Sequence, residues 1–200
     1  PPPVDDLYII HSAPLGGGGT SLQDRCYKRS KDLSELLWYG GIGSGNDQLN
    51  CPFGIAVDDT YAWICDTRNH RLMQRLKADL TYVNKRDNYR TVSSDDFYSI
   101  HTEGGQLLWT GAVGTINELN KSDLSTVRSI TWPTCGIKGY PYNAYDITSD
   151  GVYLYVADRW LYRVIIYDIL TLAYVDEIGK FSYWNLGSKG LVLAGGFLFV

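Results

Sequence analysis

The feature that most restricts the fold of this chain is an internal repeat that aligns without gaps. When residues 53–83 are shifted by 92 positions they align with residues 145–175. Asp66 then aligns with Asp158 and Arg71 with Arg163. The register holds over about thirty residues without an insertion. A repeat of this kind limits the chain to architectures that use one supersecondary unit several times.

A degenerate copy of the same unit lies between these two segments. At an offset of 44 residues, Trp63–Asp66 aligns with 107–110 and Asp79–Val83 aligns with 123–127. Thr110 and Thr115 then stand where the other copies carry Asp and Arg. The unit is therefore about 45 residues long, and its Asp/Arg pair is absent from the middle copy.

Each unit is predicted to form four short strands. In the first copy these are 54–57, 61–65, 72–76 and a strand that begins near Tyr82. Aromatic and β-branched runs separated by Gly and Asp favour strands, and no window keeps an apolar period of 3.6 residues. Four strands joined by tight turns predict an antiparallel sheet of the size of one propeller blade.

Two segments of this unit carry a family resemblance. Residues 51–58, Cys-Pro-Phe-Gly-Ile-Ala-Val-Asp, and residues 66–72, Asp-Thr-Arg-Asn-His-Arg-Leu, resemble the two halves of an NHL repeat. The resemblance covers most of residues 7–200 and is weakest in 86–131. It implies an all-β, NHL-like β-propeller with four-stranded antiparallel blades.

The repeat divides residues 1–200, a single propeller segment, into blades. We expect a partial blade over 1–40, complete blades over 41–85, 86–131 and 132–178, and a partial blade over 179–200. In the first of these, Leu7–His11 and Arg25–Arg29 match the second and third strands, separated by a Gly-rich insertion. Propellers usually close into rings that protect strand edges, so we expect an incomplete arc of a longer propeller, with an open arc completed by a partner as the alternative.

The recurring Asp and Arg are interpreted as framework residues. Asp66 and Arg71, like Asp158 and Arg163, are five positions apart across the turn between strands two and three. Asp can accept the N–H groups of such a turn, and Arg can pair with the Asp. Because the pair recurs in two blades, a structural role is favoured over a catalytic one, and no catalytic residue is predicted.

Residues between these framework positions are candidates for binding. Arg and aromatic side chains in exposed turns are typical of interaction hot spots, and equivalent turns of two blades should emerge on one face. The predicted binding residues are Arg68, Asn69, His70, Arg159 and Trp160.

No metal or cofactor site is predicted. His11, His70 and His101 occupy non-equivalent positions and lack zinc-ligand spacing. Asp58–Asp59 fits a turn better than a calcium loop. The Gly-rich run 40–45 precedes a strand rather than a helix, so we interpret it as a connector between blades and not as a phosphate-binding loop.

Charge and cysteine content restrict the possible partners and the chemistry of the chain. The net charge of −4 and the pI of about 5.3 disfavour nucleic acid as a partner. Cys65 lies in an apolar strand and is predicted to be a buried hydrophobe. A Cys51–Cys135 disulfide is disfavoured but left open, as is the state of Cys26. No apolar run reaches the length of a membrane span.

These observations favour a non-enzymatic interaction scaffold. Its loops would bind a protein or glycan partner, or its open blade edges would join copies, within an extracellular or virion-surface assembly. Two alternatives stay open. An NHL-like metal-dependent lyase or lactonase would gather unique polar residues on the propeller axis, and an RNA-binding NHL domain would need a basic face around Arg68, Lys85, Arg86 and Arg90.

Overall fold

The chain is described by a computed structural model. It covers residues 6–12, 24–30, 36–87, 97–103, 106–111, 115–131, 144–158, 161–179, 191–194 and 197–199. Apart from one 3-10 turn at Thr67–Asn69, the regular elements in these ranges are β-strands. The chain divides into two compact units, residues 1–89 and 90–200.

The first unit contains two antiparallel sheets in which strands pair in chain order. A three-stranded sheet consists of β1 (Leu7–His11), β2 (Arg25–Arg29) and β3 (Leu36–Gly40). A four-stranded sheet consists of β4 (Pro52–Val57), β5 (Tyr61–Asp66), β6 (Arg71–Leu76) and β7 (Tyr82–Asp87). The strands predicted over 54–57, 61–65, 72–76 and from Tyr82 are confirmed, with small extensions.

The second unit contains two four-stranded antiparallel sheets and one two-stranded sheet. The first consists of β8 (Phe97–Glu103), β9 (Gln106–Gly111), β10 (Thr115–Asn120) and β11 (Thr126–Thr131). The second consists of β12 (Ala144–Ser149), β13 (Tyr153–Asp158), β14 (Arg163–Asp168) and β15 (Tyr174–Ile178). The third consists of β16 (Val192–Ala194) and β17 (Phe197–Phe199).

The pairing register corrects one sequence alignment in the middle copy. Phe97 pairs with Gly111 as Pro52 pairs with Asp66, so Gly111 and not Thr110 occupies the position of Asp66. The reason is the number of residues before the next strand. Three residues separate β9 from β10, whereas four separate β5 from β6. The gapless alignment was therefore wrong by one residue on strand β9.

The turn between the third and fourth strands repeats in all three four-stranded sheets. Leu80, Leu124 and Leu172 each have a positive φ, between 57° and 62°. Each leucine donates its N–H to the carbonyl four residues earlier, at 2.7–2.9 Å. The left-handed conformation costs a non-glycine residue about 1–2 kcal/mol. Burial offsets this strain, since Leu80 and Leu124 are almost fully inaccessible to solvent.

In the first unit, the core lies between its two sheets. Its buried residues include Cys26 and Tyr39 from the three-stranded sheet and Ile64 and Met73 from the four-stranded sheet. Tyr8 and Ile10 of β1 pack against the same cluster. One face of β4–β7 is therefore covered by the sheet that precedes it in the chain.

The second unit repeats this arrangement with different residues. Ile116 and Ile130, from β10 and β11, share a buried cluster with Val156 and Ile165, from β13 and β14. Val156 and Ile165 lie 92 positions after Ile64 and Met73. The equivalent face of both four-stranded sheets is thus buried against the preceding sheet, which is the usual solution for two stacked apolar sheet faces.

Candidate functional site

A buried ion pair closes the turn between β5 and β6. Asp66 is the last residue of β5 and Arg71 the first of β6, and they are paired neighbours in the sheet. Arg71 Nε donates to Asp66 Oδ2 at 2.7 Å, and both side chains are almost fully buried. A charge-assisted bond of this length compensates part of the cost of burying the two charges.

The same arginine holds the connector between β3 and β4, residues 41–51, which includes most of the Gly-rich run. Its guanidinium donates to the carbonyls of Ser44 at 2.6 Å, Gly45 at 2.8 Å and Gln48 at 2.9 Å. Asp66 Oδ1 accepts the N–H of Asn50 at 2.6 Å from the end of the connector. Carbonyl oxygens of the connector therefore point inward at a cation, which agrees with a structural connector rather than an anion-binding loop.

Arg75 holds the middle of the connector. It follows Arg71 by four residues on β6 and so lies on the same face of the strand. Its Nη1 donates to Asp47 Oδ1 at 2.9 Å and to the Leu80 carbonyl at 3.0 Å, and its Nη2 donates to the Asn46 carbonyl. The Arg75 side chain is 1% exposed, whereas that of Asp47 is 82% exposed.

Aromatic rings complete the surroundings of Arg75. Its guanidinium carbon lies 3.9 Å from the ring centroid of Tyr39 and 5.7 Å from that of Tyr82, within the range of cation–π attraction. Burial raises the pKa of the Tyr39 hydroxyl, so this ring stays neutral. An open cavity of about 540 Å³ lies beside the cluster, with Trp38 and Asp79 also in its lining.

Burial has the largest effect on the pKa of Asp66. It raises the pKa of the carboxyl group above its ordinary value, although hydrogen bonds from Asn69, Asn50 and Arg71 act in the opposite direction. Asn69 belongs to the turn, Asn50 to the connector and Arg71 to the start of β6. The carboxylate is thus the point at which both segments meet.

The predicted binding residues of this turn have different environments. Arg68 is exposed, and its N–H donates to the Asn50 carbonyl at 3.0 Å. The Asn69 side-chain amide donates to Asp66 Oδ2 at 2.8 Å and to the Gly43 carbonyl at 2.7 Å. His70 is half-buried with a φ of 52°. Asn69 therefore contributes to the framework, and a binding role for Arg68, Asn69 and His70 stays a prediction.

The second unit contains a looser version of the turn. Arg163 Nε lies 3.4 Å from Asp158 Oδ2, and Arg163 Nη1 donates to Glu177 at 2.5 Å. Tyr162 has a φ of 52° at the position of His70. The two predicted binding residues Arg159 and Trp160 lie outside the described residues, so their role stays a prediction.

Other predicted features can be placed individually. Asp58 Oδ1 accepts the N–H groups of Thr60 and Tyr61, each at 2.8 Å, as a turn residue does. In the described part of the chain, no three His, Cys, Asp or Glu side chains are grouped so that they could hold a metal ion. Cys26, Cys51 and Cys65 are buried there and form no disulfide with one another, whereas Cys135 falls outside the described residues.

The basic face required for RNA binding is only partly available. Lys85 Nζ lies 2.8 Å from Asp87, and burial lowers the pKa of Arg86. Arg90 lies outside the described residues. Arg68 is the member of this set that the structure exposes most.

Sequence reasoning missed Arg75, Tyr39 and the framework contacts of Asn69. One signal was available for Arg75, because two arginines four apart on a strand point to the same side. Nothing in the sequence indicates that a connector about 28 residues upstream supplies their partners.

The arrangement of antiparallel four-stranded sheets defines the class: the chain has an all-β, propeller-like fold. It resembles BamB from Moraxella catarrhalis, with a TM-score of 0.53 and 15% identity over 88% of this chain and 50% of that one. It also resembles the computationally designed Ika8 protein, with a TM-score of 0.56 and 8% identity over 91% of this chain and 52% of that one.

The chain thus spans about half the length of the solved structures it resembles. No protein-family model and no curated protein matches its sequence. In the described residues there is no helix with the length and apolar character needed to cross a membrane.

Proposed function

We propose that this chain is a non-enzymatic binding module in which a propeller-like scaffold presents rigid loops to a protein partner. The observation that carries the proposal is the anchoring of an exposed connector by two buried arginines. Asn46, Asp47 and Gln48 are exposed, while Arg71 and Arg75 bind backbone and side-chain oxygens of the same segment from below.

A connector anchored in this way is better suited to binding a partner than to catalysis. A loop fixed before binding loses less conformational entropy when a partner docks, so more of the contact energy appears as affinity. Arg68 is exposed on the neighbouring turn, which is tied to the connector through the Asn50 carbonyl. Arg is a residue type enriched in interaction hot spots. We call residues 46–48 together with Arg68 the connector surface.

The proposal includes two finer statements. The first is that the unit is an NHL repeat, which is supported by the match of residues 66–72 and by the common framework of Asp66–Arg71 and Asp158–Arg163. The second is that the module works in an extracellular or surface-displayed assembly, with a glycan as the alternative partner. This second statement is supported by the exposed polar side chains of the connector surface.

Affinity capture with a matched set of variants tests the proposal. The immobilised chain is compared with Arg68→Glu and with the double variant Asn46→Ala/Gln48→Ala, and Leu170→Glu serves as the control because its 80% exposed side chain lies in a turn of the other unit. A specific protein should be retained by the unchanged chain and the control and reduced at least tenfold by both connector-surface variants. Equal retention by all four forms would contradict the connector surface.

Metal analysis of the purified chain tests the enzymatic alternative separately. Stoichiometric Zn²⁺ or Ca²⁺ together with substrate turnover would favour a lyase or lactonase over a binding module. If metal stays well below one equivalent and the captured protein depends on Arg68, the binding module is supported.

A further inference from the structure

The cavity beside Arg75 has the dimensions of a site for a small ligand. Its volume of about 540 Å³ lies within the range of about 300–1,000 Å³ that is usual for ligand pockets. Its lining comes from three segments of the first unit, which are β3, the connector and the stretch from Arg75 to Tyr82. We call it the aromatic cavity, because Trp38, Tyr39 and Tyr82 line it. A concave site with several aromatic rings and a few polar groups is a candidate for binding a small molecule.

Trp38 supplies an exposed aromatic surface in this lining. The Arg25 guanidinium carbon lies 3.9 Å from the centroid of the Trp38 ring, so one face of the ring is covered. Trp38 is nevertheless 50% exposed, and it lines the cavity. The contact with Arg25 restrains the ring by cation–π attraction. Trp38 is therefore a restrained aromatic surface on which an apolar face of a ligand can stack.

Two exposed carboxylates in the lining disfavour an anionic ligand. The Asp47 side chain is 82% exposed, and Asp79 is exposed in the turn between β6 and β7. The Thr81 N–H donates to Asp79 Oδ1 at 2.9 Å, and this bond has the largest share in holding the pKa of Asp79 below its ordinary value. Asp79 is therefore ionised at neutral pH. An anion in the cavity would be repelled by both carboxylates.

A cationic ligand is disfavoured as well, because basic side chains of the chain already occupy the positions that would attract it. Arg75 Nη1 donates to Asp47 Oδ1 at 2.9 Å. The positive charge of Lys28 contributes to the lowered pKa of Asp79. Two of the three aromatic rings have a guanidinium carbon 3.9 Å from their centroids. The cavity is therefore better suited to a polar ligand without net charge.

We propose that the aromatic cavity binds a saccharide. A pyranose ring carries no charge, and its C–H groups form an apolar face that stacks on an aromatic surface such as that of Trp38. Its hydroxyl groups donate hydrogen bonds to carboxylates, which Asp47 and Asp79 supply, and such bonds are stronger than those between neutral groups. The inference rests on the proposed function as a non-enzymatic binding module and adds a ligand class to it, since Asp47 also belongs to the connector surface.

Saturation-transfer NMR and ligand titration test the proposal on the 200-residue chain. The probes are the methyl glycosides of glucose, galactose, mannose and N-acetylglucosamine, with N-acetylargininamide and inorganic phosphate as charged comparisons. At least one glycoside should receive saturation and bind more tightly than either charged probe. Trp38→Ala removes the stacking surface and should raise the dissociation constant of that glycoside at least tenfold. Asp79→Asn should raise it at least threefold, because a charged acceptor becomes neutral. Leu170→Glu should leave the constant unchanged.

Three results would overturn the proposal. They are the absence of saturation transfer to all four glycosides, tighter binding of a charged probe, and unchanged glycoside binding in both cavity variants. Circular dichroism and thermal unfolding separate loss of binding from loss of fold, and Asp79→Asn, at an exposed site, keeps the test valid if Trp38→Ala unfolds. Arg68→Glu should reduce capture of a protein partner without changing glycoside binding, so the failure of either proposal can be recognised separately.

Discussion

Arg71 Nε lies 2.7 Å from Asp66 Oδ2 in a buried ion pair, and the same guanidinium binds three carbonyls of the connector. Removing one partner leaves the other as an uncompensated buried charge. We therefore expect Arg71→Met to lower the free energy of unfolding by about 3–5 kcal/mol, as measured by urea denaturation.

The matched experiment is the double variant Asp66→Leu/Arg71→Met. Without a buried charge, it should be more stable than the single variant Arg71→Met, although the connector carbonyls still lose their donor. If Arg71→Met alone changes the stability by less than 1 kcal/mol, the ion pair does not organise the turn as described.

Asn69 provides a prediction that separates framework from binding. Its side-chain amide donates to Asp66 at 2.8 Å and to the Gly43 carbonyl at 2.7 Å. Asn69→Ala should lower the free energy of unfolding by about 1–3 kcal/mol, because acceptors are left without their donor. Arg68→Ala, on the exposed neighbour, should change it by less than about 0.5 kcal/mol. Equal effects on stability would show that the two residues have the same role.

The repeat predicted the strands well because local pattern and pairing agree in each unit. The αL turn at Leu80 and the pair Asp66–Arg71 recur at fixed spacing, so the sequence contains their signal. Arg75 does not recur in the copy 92 residues later, where Tyr167 stands at its position. Its partners come from a connector distant in sequence, and a periodic pattern cannot specify such contacts.

The degenerate copy, residues 86–131, shows a second limit of prediction from the sequence. The gapless alignment missed that β9 and β10 are separated by one residue fewer than β5 and β6. Strand pairing resolves the choice, since a shift by one residue moves every side chain to the opposite face. The sheet was predicted correctly, whereas the residue equivalent to Asp66 was not.

The left-handed leucines are expected to be sensitive to truncation. Leu124 is 1% exposed and keeps a φ of 61°, so Leu124→Ala loses the burial while retaining the backbone strain. The expected loss in unfolding free energy is about 2–5 kcal/mol. Leu170→Ala, on an 80% exposed side chain, is the control and should cost about 0.5 kcal/mol or less. A similar loss at both sites would mean that Leu124 contributes nothing through burial.

The Asp150–Tyr155 hydrogen bond, 2.8 Å long, is expected to affect stability at both ends of the pH scale. Partial desolvation acts to raise the pKa of Asp150, but the N–H groups of Tyr153 and Val152 and the Tyr155 hydroxyl together hold it below its ordinary value. Because the pKa of Asp150 is lower in the folded state than in the unfolded state, its contribution to stability is fully present above the unfolded pKa of about 3.9. It is lost as the pH falls through the folded value.

The pKa of Tyr155 is shifted in the opposite direction to that of Asp150. Desolvation and the bond to Asp150 raise its pKa from 10.0 to about 12. The folded state keeps the proton that the unfolded chain loses, so the stabilisation is complete below pH 10 and disappears as the pH rises through about 12. Tyr155→Phe should therefore be less stable than the unchanged chain at pH 7, with a difference that shrinks as the pH falls below about 3.9 and as it rises towards about 12. Urea denaturation across this range measures it, and a difference independent of pH would show that the variant acts through packing alone.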